Sequence, residues 1–123
     1  MDLLLATHVF LRWDSQGSNL PAAFQAAIES RDNSVYVSAA TVWEIAIKRA
    51  SGKPIFSGSA AKSIAGHGFS SLPVTVEHAE RAGWLPSLHR DPFDRLPAAQ
   101  ARLEGLTLVT VDRQILRYEA AHL

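Results

Sequence analysis

Cysteine is absent from this 123-residue chain, which excludes a disulfide framework, thiolate catalysis and any zinc centre built on sulfur. Histidine does not fill that gap. The five histidines, His8, His67, His78, His89 and His122, form no His-x3-His or similar ligand pair, so the spacing argues against a structural zinc site. An excess of either charge is also missing, because 12 Lys and Arg balance 12 Asp and Glu. That balance removes the overall basic field of a non-specific nucleic-acid binder and leaves only local phosphate contacts. Long apolar runs are lacking as well. Met1-Asp2-Leu3-Leu4-Leu5 is too short to span a bilayer and carries an acid where a secretory signal wants a base, so the expectation is a soluble, cytoplasmic protein with no membrane partner. No Ser-His-Asp order, Gly-x-Ser-x-Gly elbow or glycine-rich phosphate loop is present.

What is present alternates between strand and helix patterns. Leu3-Leu4-Leu5-Ala6 has the unbroken apolar character of a strand buried on both faces, and Val9 to Trp13 begins a short helix. A helix follows Pro21, Val35-Tyr36-Val37 forms a second strand, and Ser38 caps a helix from Ala39 to Ala50. Lys53 to Ser71, broken by Pro54, Gly58, Gly66 and Gly68, reads as a peripheral clip with one short helix at Ala60 to Ala65. Leu72-Pro73-Val74 is extended, and Thr75 to Trp84 is a helix with Val76, Ala79 and Ala82 on its apolar side. The next helix runs from Pro92 to Glu104, with Asp91 as N-cap and Gly105 as the left-handed terminator. Leu106 to Thr110 is a further strand, and Asp112 caps a last helix, Arg113 to Glu119. Residues 1–123 are therefore expected to form one α/β domain: a three-layer α/β/α sandwich around a mainly parallel sheet.

In such sheets ligands sit beyond the carboxyl ends of the strands, and that is where the acids fall. Glu44 lies in the second turn of the helix after Ser38, Asp112 follows Leu108-Val109-Thr110, and Asp94 lies in the first turn of the helix opened by Asp91-Pro92. Each also has an ordinary role: Glu44 can pair with Lys48 four residues on, Asp112 can cap a helix, and Asp94 can answer a helix dipole. Carboxylates gathered at one point repel unless a cation neutralises them, and a hard divalent ion is the natural partner. Such centres hydrolyse phosphodiesters by activating water and steadying charge on the leaving oxygen.

At these residues the chain resembles the PIN-domain ribonucleases, most closely the VapC toxins of bacterial toxin–antitoxin pairs. Leu3 to His8 is similar to their first strand end, and Val37 to Lys48 to their acid-bearing helix. His89-Arg90-Asp91-Pro92-Phe93-Asp94-Arg95 and Gly105 to Asp112 follow in the same order. The resemblance implies a PIN-like fold and a metal-dependent endoribonuclease using Mg²⁺ or Mn²⁺. It further implies an RNA substrate, often transfer RNA, a VapB-type antitoxin as inhibitor, and a homodimer. Carried over residue by residue, it makes Glu44, Asp94 and Asp112 the catalytic and metal-binding acids, with Asp91 a helper and Thr7 a supporting hydroxyl or a helix cap. Arg90, Arg95 and Arg113 flank the acids as candidates for RNA phosphates, with solvation or acid pairing as their ordinary role. Trp13, Trp43, Phe56 and Trp84 are expected in the core, with a partner surface as the alternative.

The sequence departs from the family at two places. Ala6 stands where the family's first acid is expected, and a methyl group cannot bind a cation, so this chain is expected to be inactive or severely impaired. A non-catalytic PIN-like module that binds RNA or protein is the competing reading. Pro97 lies beyond the first turn of its helix, so a later helix start near Asp94, or a kink, is expected.

Overall fold

The computed structural model describes residues 1–15, 19–53, 55–85, 91–112, 115 and 122–123. Among them, four strands form one sheet in the order β3-β2-β1-β4, with β1 at Asp2–Leu5, β2 at Ser34–Ser38, β3 at Ser70–Leu72 and β4 at Thr107–Val109. Every pairing is parallel, and the register aligns Leu5 with both Val37 and Val109. Beside β4, Leu123 donates its N–H to the Leu108 carbonyl at 3.0 Å.

The unbroken apolar run of β1 is explained by burial on both sides. Leu3 and Leu5 face one core with Val35, Val37 and Val109, while Leu4 faces a second core with Leu108. Alternate side chains of a strand point to opposite faces, so one central strand feeds both layers. The first layer is built from α1 (Thr7–Asp14), α2 (Ala22–Glu29), α3 (Ala39–Ala50) and α4 (Ala60–Gly66), through Val9, Phe10, Phe24, Ile28, Ile45 and Ile64. The second is the antiparallel pair α5 (Val76–Trp84) and α6 (Pro92–Glu104). There Ala98, Ala99 and Ala101 form a small-residue face that packs beneath Leu4 and Leu108. The expected three-layer α/β sandwich is what forms.

Several boundaries follow from local chemistry. Ser38 accepts from the Ala40 N–H at 3.0 Å, as an N-cap should. Asp91 caps α6 by accepting from the Phe93 N–H at 2.9 Å, and Gly105 ends that helix at φ 67°. Thr75 caps α5 in a reciprocal box: its hydroxyl accepts from the His78 N–H and its own N–H donates to His78 Nδ1, both at 3.1 Å. Thr75→Ala is expected to cost about 1 kcal/mol of unfolding free energy, measurable by urea denaturation.

Other boundaries differ from the sequence reading. The segment from Lys53 to Ser71 is not peripheral, because Phe56, Ala60 and Ile64 enter the first core and Phe10 stacks on Phe56 at 5.9 Å. Arg49 holds this segment in place by donating to the carbonyls of Phe56 and Gly58, each at 2.8 Å. The third strand lies at Ser70–Leu72, ahead of the expected Leu72-Pro73-Val74, since Pro73 has no N–H to extend the ladder. The first helix begins at Thr7 and not at Val9. Val76 is 87% exposed, and α5 buries His78 and Ala82 instead. The helix carrying Pro97 still begins at Pro92, because the Asp91 cap and Pro92 fix its first turn, and it runs unbroken to Glu104 with Pro97 buried. The expected last helix, from Arg113 to Glu119, lies outside the described residues.

Two side chains join α5 to α6. Arg95 donates to the carbonyls of Ala82 (2.9 Å) and Leu85 (2.7 Å), covering the C-terminal end of α5. At the other end His78, 2% exposed, meets Glu104 Oε1 through Nε2 at 2.8 Å. The Gln100 amide lies 3.3 Å from its Nδ1. These ties set the position of the first turn of α6, which carries Asp94.

Candidate functional site

The register places residue 6 between Ser38 and Thr110 at the carboxyl ends of three adjacent strands. The Ala6 N–H donates to the Val109 carbonyl at 3.0 Å, so position 6 is the last point at which β1 is tied to β4. It is also the N-cap of α1, buried at 3% exposure, and it makes no side-chain cap hydrogen bond. The first turn of α1 is left to the Ala6 carbonyl, which accepts from Val9 and Phe10 at 3.1 and 3.0 Å. Thr7, the next residue, is not the helix cap. Its hydroxyl lies 2.9 Å from that of Thr41, which ties the start of α1 to α3.

Glu44 projects from α3 into this region and is 5% exposed. Its Oε2 accepts from Lys48 Nζ at 2.9 Å, whereas Oε1 is buried with no hydrogen-bond partner among the described residues. An unsatisfied carboxylate oxygen in a protein interior is costly and calls for an explanation in ligand or function. The pairing with Lys48 expected from the sequence is therefore present, but it satisfies only half of the carboxylate.

The other acids reach the same place electrostatically. Lys48 is held above its ordinary pKa, first by its hydrogen bond to Glu44 and further by the fields of Glu44, Asp91 and Asp94. His8 is pushed below its ordinary value by burial and by the Arg12 guanidinium, while Asp112 and Glu44 pull it upward. Glu44 thus shares one neighbour with Asp91 and Asp94 and another with Asp112. Acids from three separate elements are coupled through Lys48 and His8.

His8 was not singled out by the sequence beyond its place in the first strand's exit. Its Nε2 accepts from the Val111 N–H at 3.1 Å, a bond that requires a lone pair on that nitrogen and therefore favours neutral imidazole. Thr110 continues the tie: its hydroxyl accepts from the Asp112 N–H at 3.1 Å and so shapes the turn that delivers Asp112. Because the folded pKa of His8 lies below its ordinary 6.5, the unfolded chain binds more protons as pH falls past that value. Stability is expected to be complete above pH 6.5 and to decline below it; thermal melts from pH 7.5 to 5 should show this, and His8→Gln should flatten the dependence.

The flanking arginines divide. Arg95 donates to the carbonyls at the end of α5, which gives it a structural role. Arg90 and Arg113 lie outside the described residues. The tryptophans divide too. Trp13 is half-buried against the core and Phe56 fully buried, as expected, but Trp43 is 63% and Trp84 70% exposed, so the core expectation fails for those two. Trp43 instead meets Phe93 edge-to-face, with ring centres 5.4 Å apart at 72°, across the junction between α3 and the first turn of α6.

Does this donor set fit a divalent ion? Among the described residues no three His, Asp or Glu side chains are grouped closely enough to hold one. Glu44, Asp94 and Asp112 are linked through the charged neighbours they share, and the methyl of Ala6 supplies no oxygen at position 6. The described donor set does not by itself hold a divalent ion, and no chemical step through a metal follows from it.

No helix among the described residues is long and apolar enough to cross a membrane. Among curated proteins no sequence matches the chain. The fold is shared with the VapBC2 complex of Rickettsia felis, whose structure is bound to a DNA fragment from its promoter. That match has a TM-score of 0.71 and 15% identity, covering 100% of this chain and 98% of that one. PAE2754 from Pyrobaculum aerophilum is similar too, with a TM-score of 0.62 and 16% identity, over 99% of this chain and 83% of that one. Residues 3–121 match the family model of the PIN domain. With nearly its whole length matched, and with the helices and parallel sheet of that fold, this chain belongs to the PIN-domain family.

Proposed function

We propose that this chain is a VapC-type toxin, an endoribonuclease whose acidic site, when complete, takes Mg²⁺ or Mn²⁺ and hydrolyses RNA phosphodiester bonds. In the form described, Ala6 leaves it severely impaired. PIN domains are generally nucleases and typically use divalent metals, which sets the reaction class. The observation that carries the reading is the orphaned Oε1 of Glu44, a buried carboxylate oxygen facing no donor at the strand exits. A protein that only binds RNA gains nothing from buried negative charge where phosphates would approach.

In this reading Glu44, Asp94 and Asp112 are the remaining acids, and Asp91 is chiefly the cap that positions Asp94. Thr7 acts through its bond to Thr41, holding the start of α1 and hence position 6. Lys48 offsets part of the acidic charge. RNA, with transfer RNA among its candidates, is the substrate, a VapB-type antitoxin the inhibitor, and a homodimer the assembly. The likeness to a VapBC complex supports the antitoxin. The exposed faces of Trp43 and Trp84 offer aromatic surface for one or other of these contacts.

The competing reading, a non-catalytic PIN-like binding module, is favoured by one observation, the incomplete donor set. Cleavage of RNA by the Ala6→Asp variant, with and without divalent metal, separates the two.

A further inference from the structure

Trp43 is one of the large apolar side chains that the fold leaves exposed. It is 63% exposed, although its chain neighbours Thr41, Glu44 and Ile45 are all buried. Its indole is nonetheless braced: Phe93, half-buried at the first turn of α6, meets it edge-to-face at 5.4 Å. Such contacts fix the orientation of an aromatic ring and reduce the entropy lost when a ligand settles on it. Trp43 immediately precedes Glu44, and Phe93 immediately precedes Asp94. The braced ring therefore stands at the junction of α3 and α6, the helices that carry Glu44 and Asp94.

We propose that Trp43 is a base-stacking platform: its exposed indole takes an unpaired nucleobase of the RNA whose neighbouring phosphodiester is presented to the acids. This rests on the ribonuclease reading and deepens it, since it assigns a residue that selects single-stranded substrate. Single-stranded RNA is held largely by stacking of splayed bases on aromatic side chains, and such stacking tolerates any base. A duplex, whose bases are already stacked on one another, gains nothing from the same ring. The platform also supplies attraction that the acids cannot, because in a chain with no net positive charge the phosphates meet carboxylates at the strand exits. The competing occupant is a protein surface, which would cover Trp43 together with Ile47, one turn further along α3 and 41% exposed. Position beside the acids favours the base.

The chain as described suits the test, because Ala6 permits binding to be measured without cleavage. The probe is a single-stranded oligoribonucleotide of mixed sequence, alongside versions carrying one abasic residue at successive positions. Dissociation constants are read by fluorescence anisotropy at fixed low salt for the parent chain, Trp43→Ala and Trp43→Phe. Trp43→Ala is expected to weaken binding about 5- to 100-fold, with Trp43→Phe recovering most of the loss. One abasic position should weaken the parent by a similar factor and leave Trp43→Ala unaffected, the signature of two groups acting as a pair. Circular dichroism should show both variants folded, with Trp43→Ala melting only slightly lower because it loses the contact with Phe93. The proposal is overturned if Trp43→Ala binds the oligonucleotide as tightly as the parent, or if abasic positions weaken both equally. It is equally overturned if RNA affinity holds while sedimentation shows a lost self-association, which would make the face a protein interface. If the parent, and Ala6→Asp with it, binds no RNA at all, the ribonuclease reading itself fails, an outcome distinct from loss of the platform alone.

Discussion

Ala6→Asp is expected to give this chain a divalent-metal-dependent ribonuclease activity at least about a hundredfold above its present level. The size follows from where position 6 lies. It is level with the exits of β2 and β4, and the Ala6 N–H is tied to the Val109 carbonyl at 3.0 Å, so the backbone is already fixed where the acid is needed. The new carboxylate would meet Glu44, which has one oxygen unsatisfied, and would supply the missing oxygen among the acids of α3, α6 and the β4 exit.

The same substitution has a second readout that does not depend on catalysis. Asp is a favoured N-cap residue, worth about 0.5–2 kcal/mol over Ala, and α1 now has no side-chain cap. Yet position 6 is only 3% exposed, so the new charge would be desolvated beside like charges. Without divalent ion the variant should therefore gain nothing in thermal stability, or lose some. With millimolar Mg²⁺ or Mn²⁺ its melting temperature should rise by mass action, while that of the parent stays nearly constant. If the parent cuts RNA as fast as the variant, position 6 is not a ligand position. If both are folded and neither cuts, the binding-module reading takes precedence.

Ile64→Ala is expected to destabilise the fold by about 2–5 kcal/mol, which would be a large fraction of the stability of a domain this size. Ile64 is 1% exposed and packs in the first core with Phe56, Ala60 and the strand residues Val35 and Val37. Were residues 53–71 the peripheral clip that their composition suggests, the same substitution would change stability by no more than about 0.5 kcal/mol. Chemical denaturation of the two proteins decides between these values. A change in the slope with denaturant, rather than in the midpoint, would instead mean that α4 opens separately from the sheet.

That contrast shows what could be read from the sequence and what could not. The bounds of α6 were legible because they are written in local chemistry: Asp91 and Pro92 at one end and Gly105 at the other. The buried strands were legible because three leucines in a row have no helical or half-exposed alternative of comparable quality. The importance of α4 was not legible. Glycine, serine and proline around it look like a loop, and only the packing of Ile64 under β2 makes it core. The faces of Trp43 and Trp84 were hidden for a related reason, since hydrophobicity suggests burial but does not say on which side of a helix the core lies.

Within the candidate site, Glu44, Asp94 and Asp112 are singled out by their position relative to strand ends, and Ala6 by its place in a motif. Their supporting contacts were not. His8, Thr41 and Thr110 act through bonds to partners that lie close only in the folded chain, with His8 and Val111 separated by 103 residues in sequence. His78 had one faint local signal, its place at the third residue after Thr75, where a capping box usually carries Glu or Gln. Arg95 had none, because carbonyls at the end of another helix leave no trace in its own neighbourhood.

The pairing of β1 with β4 also governs when the protein can become what it is. Leu3 meets Thr107 across about 100 intervening residues, and this parallel contact can be made only after nearly all of the chain exists. Long-range parallel pairing is intrinsically slow, since it must close a large loop before any contact repays the loss of freedom. A ribosome would release most of the chain before Asp112 could approach the exit of β1. The side of the sheet that carries Asp112 is therefore completed last, once β4 docks beside β1.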